Sequence, residues 1–164
     1  MRLFPAYWLD ANVLIQASKG PYRIERVPQF WTFIDEQLEQ GNLRAPKMVY
    51  DELTDGNDHL AQWCKQRRKY LSVNASKDVQ KCYGDIANWV HTNSTVAKAH
   101  EFLRGADGWV IAHAMEMGTS GIVVTQESTR PRQGKVRIPA VCTAFNVKCI
   151  NTYDMLEALD FRIT

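Results

Sequence analysis

Short apolar runs alternate with amphipathic segments along the whole sequence. The runs have the length of strands buried on both faces of a parallel sheet, and the run at 122–125 is rich in β-branched residues. The predicted strands cover residues 6–9, 43–45, 122–125 and 147–150.

Between these runs, apolar residues recur at the spacing of one helix face, and proline, asparagine, serine and glycine mark the ends. The clearest helix is predicted over 107–117 and is ended by Gly118. One face of this helix carries Asp107, Val110, Ile111 and Ala114. The other predicted helices cover 12–17, 28–40, 46–53, 57–71 with Asn57 as its cap, 76–90 with an interruption near Gly84, 95–103, 139–145, and a closing segment from Asn151 or Thr152 through Leu159.

Strands that alternate with helices indicate an α/β fold, and we expect a three-layer α/β/α sandwich with a central, mostly parallel sheet. The chain has 164 residues, of which 45% are hydrophobic, and this suits one domain with an ordinary core. The helix-rich stretch at about 57–103 is predicted to be an insertion beside the sheet or a cap over its edge.

Acidic residues lie at the junctions between predicted elements. Asp10 follows the first apolar run, and Glu127 lies just past the third. Because parallel strands point the same way, both residues should reach the carboxyl edge of the sheet, where open α/β folds bind ligands. Asp107 begins its helix after a connection that runs over the same edge. A fourth acid comes from the helix after Pro46, and pattern alone does not decide between Asp51 and Glu52, which point about 100° apart.

Carboxylates gathered in one place require a counter-charge. Two of them about 5 Å apart repel by roughly 3 kcal/mol at an effective dielectric constant of about 20. Mg²⁺ or Mn²⁺ relieves this repulsion, because both prefer oxygen ligands and keep waters that phosphate oxygens can replace. Such a cation can activate water and offset the charge that develops during phosphodiester hydrolysis. The sequence therefore predicts a divalent metal site, with one or two ions.

The net charge of +2 says little about partners, but the basic residues are unevenly distributed. Residues 128–153 contain no acid, and a basic segment that follows Glu127 suits a polyanion lying across a metal site. A second basic cluster at 65–69 is interpreted as a solvated helix face. The basic residues of the first segment are Arg130, Arg132, Lys135, Arg137 and Lys148.

The four cysteines form no CxxC pair and are interpreted as reduced thiols. No apolar run approaches about 18 residues, so no membrane span is expected. The N-terminal segment lacks the features of a signal peptide, and the cytoplasm is therefore the expected location.

In their order and spacing, four acidic motifs resemble those of the PIN domain family, and the likeness extends over about residues 7–153. The nearest comparison is with the compact bacterial and archaeal members, many of which are toxin ribonucleases of toxin–antitoxin modules (VapC-like). The motifs are Leu9-Asp10-Ala11-Asn12, Tyr50-Asp51-Glu52-Leu53, Ala106-Asp107-Gly108-Trp109 and Val124-Thr125-Gln126-Glu127.

The resemblance implies a PIN-like fold and metal-dependent endoribonuclease activity on RNA. It assigns catalytic and metal-binding roles, with Mg²⁺ or Mn²⁺ as cofactor, to Asp10, Glu52, Asp107 and Glu127. Asn12 would support the first motif, and Thr125 would supply the hydroxyl before the fourth acid. Lys135 and Arg137 are the expected phosphate-binding residues. The resemblance also implies a cognate antitoxin protein as partner and, as in many relatives, a homodimer.

Two positions depart from the family pattern. Ala11 stands where many relatives carry Ser or Thr, and Glu127 stands where Asp is commoner. Both departures favour the main alternative, which is a catalytically silent PIN-like module that binds RNA or protein. A phosphotransfer domain is a further alternative, but a haloacid-dehalogenase phosphatase needs Asp where this chain has Asn12. A response regulator needs an acidic pair that is not evident here.

Overall fold

The computed structural model describes residues 4–128 and 134–163, and it is built around a four-stranded sheet. All strand pairs are parallel, and the strand order is β2-β1-β3-β4. The strands are β1 (Ala6–Leu9), β2 (Leu43–Arg44), β3 (Gly121–Val124) and β4 (Lys148–Ile150). All four predicted strands are therefore confirmed: β1 has the predicted ends, and no end of the other three differs by more than one residue.

Ten α-helices connect and surround these strands within the described residues. No helix among them is both long and apolar enough to span a membrane. The helices are α1 (Ala11–Lys19), α2 (Pro28–Glu39), α3 (Lys47–Leu53), α4 (His59–Lys65), α5 (Arg68–Leu71), α6 (Lys77–Asn93), α7 (Val96–Arg104), α8 (Asp107–Glu116), α9 (Ile138–Ala144) and α10 (Thr152–Ala158), and a single 3₁₀ turn covers Gly118–Ser120.

The sheet is covered on both faces. Every residue of β1 and β3 is buried, and successive side chains of a strand point to opposite faces. Both faces must therefore be packed against helices, which confirms the predicted three-layer α/β/α architecture with a parallel sheet. The description of the chain as one domain with an insertion at about 57–103 stays a prediction.

Two predicted helix features are wrong. The segment 57–71 forms two helices, α4 and α5, and its N-cap is Asp58 rather than Asn57: the Asp58 carboxylate accepts a hydrogen bond from the Ala61 N–H at 2.8 Å. Helix α6 passes through Gly84 without interruption. Burial of its apolar face, which includes Ile86 and Val90, outweighs the roughly 1 kcal/mol that a glycine costs inside a helix.

Helix α8 lies directly on the two central strands. The His113 ring stacks on Trp8 of β1 with ring centroids 4.5 Å apart, and the Trp8 indole N–H donates a hydrogen bond to the Met117 sulfur at 3.2 Å. At the start of β3, the backbone of Gly121 approaches Ala114 so closely that a side chain at 121 would overlap the Ala114 carbonyl. These contacts fix the position of α8 against the sheet.

Gly121→Ala should destabilise the protein by about 3 kcal/mol, because the added methyl group meets backbone that cannot move without shifting α8 from β3. Gly84→Ala is the matched control: nothing lies within 4 Å of its new methyl group, and it should stabilise α6 by about 0.5–1 kcal/mol. Urea denaturation of both variants measures the two effects. Equal stability of the two variants would contradict the packing described here.

Candidate active site

Asp10 and Thr125 emerge side by side at the carboxyl edge of the sheet. Leu9 and Val124 are register partners at the ends of β1 and β3, so the next residue of each strand reaches the same place. Both side chains are buried. The Thr125 hydroxyl donates a hydrogen bond to Asp10 Oδ2 at 2.9 Å, which gives the buried carboxylate one fixed donor.

Two hydrogen bonds, one from its backbone and one to its side chain, hold Glu127 at the same edge of the sheet. Its backbone N–H donates to the Thr125 hydroxyl oxygen at 3.1 Å. Its Oε2 accepts from the backbone N–H of Ile138, the first residue of α9, at 2.8 Å. Thr125 thus links the first and fourth acids, and the Glu side chain spans the distance to α9.

On α3, the two neighbouring acids have different surroundings. Glu52 Oε1 accepts a hydrogen bond from the Ala106 backbone N–H at 3.0 Å, immediately before Asp107. Asp51 is exposed and instead forms an ion pair with Lys47 on its own helix at 2.9 Å. Glu52 is therefore the acid of this pair that faces the other carboxylates. A methyl group at Gly105 would lie 3.3 Å from Glu52 Oε1, so a small residue there leaves room for the carboxylate.

Asp107 is the first residue of α8, and its side chain is half-buried. It lines a cavity of about 400 Å³ together with Glu52 and Lys135. Its carboxylate accepts no hydrogen bond from the part of the chain that the structure describes. Of the four acids, Asp107 is therefore the one whose carboxylate is held by no described donor.

Burial and mutual repulsion raise the carboxyl pKa values of two acids. Burial raises the pKa of Asp10 to about 6; the Thr125 hydrogen bond opposes this rise, and Glu127 and Glu52 add to it. Burial also raises the pKa of Asp107 to about 7, with further contributions from Asp10, Glu127 and Glu52, while the Lys135 ammonium lowers it. Asp107 is therefore within electrostatic reach of the three other acids, as expected of groups that share one site.

The donor set of this site fits a hard divalent cation. All four side chains supply carboxylate oxygens, and a cation would relieve the repulsion that raises the pKa of Asp107. Among residues 4–128 and 134–163, however, no three His, Cys, Asp or Glu side chains already stand close enough to share one ion. The carboxylates surround the site without meeting at one point, so a shared ion would require changes in their side-chain rotamers.

The remaining predicted residues lie at different distances from this centre. The Asn12 side chain is exposed, and its backbone N–H is the group that hydrogen-bonds to Asp10. Lys135 lines the Asp107 cavity, whereas Arg137 precedes α9 and is half-buried. Arg130 and Arg132 lie outside the described residues.

The basic cluster at 65–69 is not simply a solvated face. Arg67 forms a two-pronged ion pair with Asp35, at 2.6 and 2.7 Å, and its guanidinium lies 4.0 Å from the centre of the Trp63 ring. Arg67 therefore attaches the junction between α4 and α5 to helix α2. Lys65, Arg68 and Lys69 are exposed, as the prediction states.

The sequence did not predict the backbone N–H donors of the site or one of the basic side chains that line it. The N–H groups of Ala106 and Ile138 hold Glu52 and Glu127, but such donors carry no residue-type signal. Lys98 of α7 lines the Asp107 cavity, and its position in an ordinary amphipathic helix gives no sign of this.

Comparison with known proteins adds three findings. A family model described as "Domain of unknown function (DUF4411)" matches residues 7–163. Comparison with curated protein sequences gave no significant match. A chain of the crystal structure of VapBC2 from Rickettsia felis, bound to a DNA fragment from their promoter, is similar in fold, with a TM-score of 0.53 and 12% identity over 89% of this chain and 98% of that one. This similarity confirms the resemblance to PIN domains at the level of the fold.

Asp107→Asn should stabilise the metal-free protein at pH 8 and have little effect near pH 4. A folded-state carboxyl pKa above the usual 3.8 means that the folded protein holds its proton longer than the unfolded chain does. Stability is therefore lost as the pH rises from about 4 through about 7, and the substitution removes this loss. Thermal unfolding in EDTA across that range measures the difference.

The matched control is Asp51→Asn, which changes an exposed carboxylate outside the site. Its effect on the melting temperature should not follow the same pH course. A constant difference between Asp107→Asn and the unchanged protein from pH 4 to pH 8 would contradict the electrostatic account of the site.

Thr125→Val should cost about 2 kcal/mol at pH 8, because Asp10 then carries a buried charge without its side-chain donor. The loss should be smaller at pH 4.5, below the Asp10 pKa of about 6. Thr125→Ser keeps the hydroxyl, so its free energy of unfolding should change with pH much as that of the unchanged protein does. Denaturant titrations at both pH values compare the variants, and equal losses for Val and Ser would exclude this role of the hydroxyl.

Proposed function

The chain belongs to the DUF4411 family, and we propose that it is a Mg²⁺- or Mn²⁺-dependent endoribonuclease. The observation that carries this proposal is the placement of four carboxylates around the carboxyl edge of the sheet, where the charges of Asp10, Glu52 and Glu127 all act on Asp107. Burial and the charges of the neighbouring acids raise the pKa values of Asp10 and Asp107, and a cation bound there would offset those charges.

Asp10 and Asp107 are proposed to hold the principal ion, and Glu52 and Glu127 to complete its surroundings. A divalent cation held by these residues would supply Lewis acidity for the activation of water and would offset negative charge on the phosphate. The choice of Asp10 and Asp107 as principal ligands rests on their pKa values of about 6 and about 7, which mark them as the carboxylates that most need a counter-charge.

The chain's own groups orient the acids and the substrate. The Thr125 hydroxyl and the N–H groups of Ala106 and Ile138 each bind one carboxylate oxygen and so limit the directions in which the acids point. Lys135 is proposed to bind a phosphate next to Asp107, where its charge already acts. Arg137 is proposed as a second phosphate ligand, since its buried Nε has no hydrogen-bond partner among the described residues.

The toxin role and the antitoxin partner rest on the resemblance to VapC-like proteins and on the fold shared with a chain of VapBC2. We propose that an antitoxin covers the acidic site and keeps the nuclease inactive in its host. A homodimer is a further expectation from the same resemblance.

A catalytically silent PIN-like module is the second candidate. One observation favours it: among the described residues, no three potential metal ligands lie close enough together to bind one ion. Titration with Mn²⁺ separates the two functions, because a silent module gives no metal-dependent turnover of single-stranded RNA at any concentration.

Asp10→Asn and Asp107→Asn should each abolish metal-dependent RNA cleavage, with a loss of at least about a hundredfold, because each removes a carboxylate that we assign to the principal ion. Cleavage of a labelled single-stranded RNA in Mn²⁺ and in EDTA is the measurement. Asp51→Asn removes the same charge from the neighbouring helix position and should cleave normally.

Full activity of either site variant would refute the assignment. Both variants should also lose any growth inhibition that the unchanged protein causes on expression. A variant that inhibits growth without cleaving RNA would favour the silent module.

A further inference from the structure

Two surface cavities meet beside the candidate active site. The first, of about 400 Å³, contains Glu52 and Asp107. The second, of about 570 Å³, is lined by residues 92–95, at the corner between α6 and α7, and by residues 134–136. Lys98, Lys135 and Val136 line both cavities, which therefore form one continuous recess. We call the second cavity and these shared residues the α6–α7 groove.

The charge of the recess changes along its length. The first cavity carries three cations, Lys98, Arg104 and Lys135, beside the acids Glu52, Glu101 and Asp107. In the second cavity, the only charged residues among the described lining are Lys98 and Lys135. The recess is therefore mixed in charge at the candidate active site, and the second cavity adds the two shared lysines and uncharged residues but no acid to its described lining.

The cations of the recess have no acidic partner of their own. In the described part of the chain, Lys98, Arg104 and Lys135 take part in no salt bridge. Lys98 is half-buried and lies in the first turn of α7, where its backbone N–H donates to the Thr95 hydroxyl at 3.3 Å. Lys98 and Lys135 thus lie where the acidic cavity opens into the groove, and the phosphates of a polyanion would neutralise them there.

The polar side chains at the corner are already engaged with their own helix. Thr92, Asn93 and Ser94 each donate a hydrogen bond to a backbone carbonyl of α6, at 2.9, 2.8 and 2.6 Å. These bonds occupy the hydroxyl protons of Thr92 and Ser94 and one of the two amide N–H groups of Asn93. Few side-chain donors of the corner therefore remain for the edges of bases, which favours contact with phosphates of any sequence.

We propose that the α6–α7 groove binds the backbone of single-stranded RNA next to the phosphate that is cleaved, with Lys98 as its central contact. This inference rests on the proposed nuclease function and extends it by giving the substrate a direction across the protein. A recess of a few hundred Å³ admits one phosphate backbone, whereas a duplex would have to lie above it.

The test is binding of a fluorescein-labelled single-stranded oligoribonucleotide, followed by anisotropy in EDTA over a series of salt concentrations. At about 50 mM salt, Lys98→Gln should bind about five- to tenfold more weakly, and the slope of log K against log salt should fall by about 0.7, the value for one phosphate contact on a single strand. Lys98→Arg should restore both quantities.

Lys81→Gln is the matched control, since this exposed lysine lies on α6 and lines neither cavity. It removes the same charge and should leave affinity and slope unchanged. Circular dichroism checks folding, and Lys98→Met, which keeps most of the aliphatic stem, provides a second uncharged variant.

Unchanged affinity and slope in Lys98→Gln would overturn the proposal, as would tighter binding of a duplex of the same sequence. Because the binding assay contains no divalent metal, its result is independent of cleavage. RNA that binds through Lys98 but is never cleaved would refute the nuclease alone, and RNA that is cleaved without any effect of Lys98 would refute the groove alone.

Discussion

The parallel pairing of β1 with β3 is the constraint on which the candidate site depends. It places Leu9 opposite Val124, so the chain leaves the two central strands at the same level and Asp10 meets Thr125. Helix α8 packs on these strands and brings Asp107 to the same edge. Since the acids come from segments far apart in sequence, only the sheet can gather them.

Gathering the acids opposes stability, because burial and like charge both favour the protonated form. The pKa values of about 6 for Asp10 and about 7 for Asp107 express this cost. The fold offsets part of it with the Thr125 hydroxyl and three backbone N–H donors, whereas Asp107 receives no donor from the described residues. A cation bound among these carboxylates would relieve part of the same cost.

Much of the fold could be predicted because its signals are local. Continuous apolar runs located the strands, and the periodicity from Asp107 onward located α8. The break between α4 and α5 could not be predicted, because it depends on Arg67 reaching Asp35 on a distant helix. The acids could be proposed from order and spacing, but the choice of Glu52 over Asp51 needed a resemblance. Lys98 and the backbone donors depend on tertiary contacts that no sequence pattern records.

The central claim is that these carboxylates bind one divalent cation between them. Anomalous diffraction from crystals grown without metal and then soaked in Mn²⁺ tests it most directly. The account predicts a manganese peak among the four carboxylates, next to Asp10 and Asp107, and no peak in crystals of Asp107→Asn. A map without such a peak, with the four carboxylates apart and each paired with its own lysine, arginine or backbone donor, would contradict it.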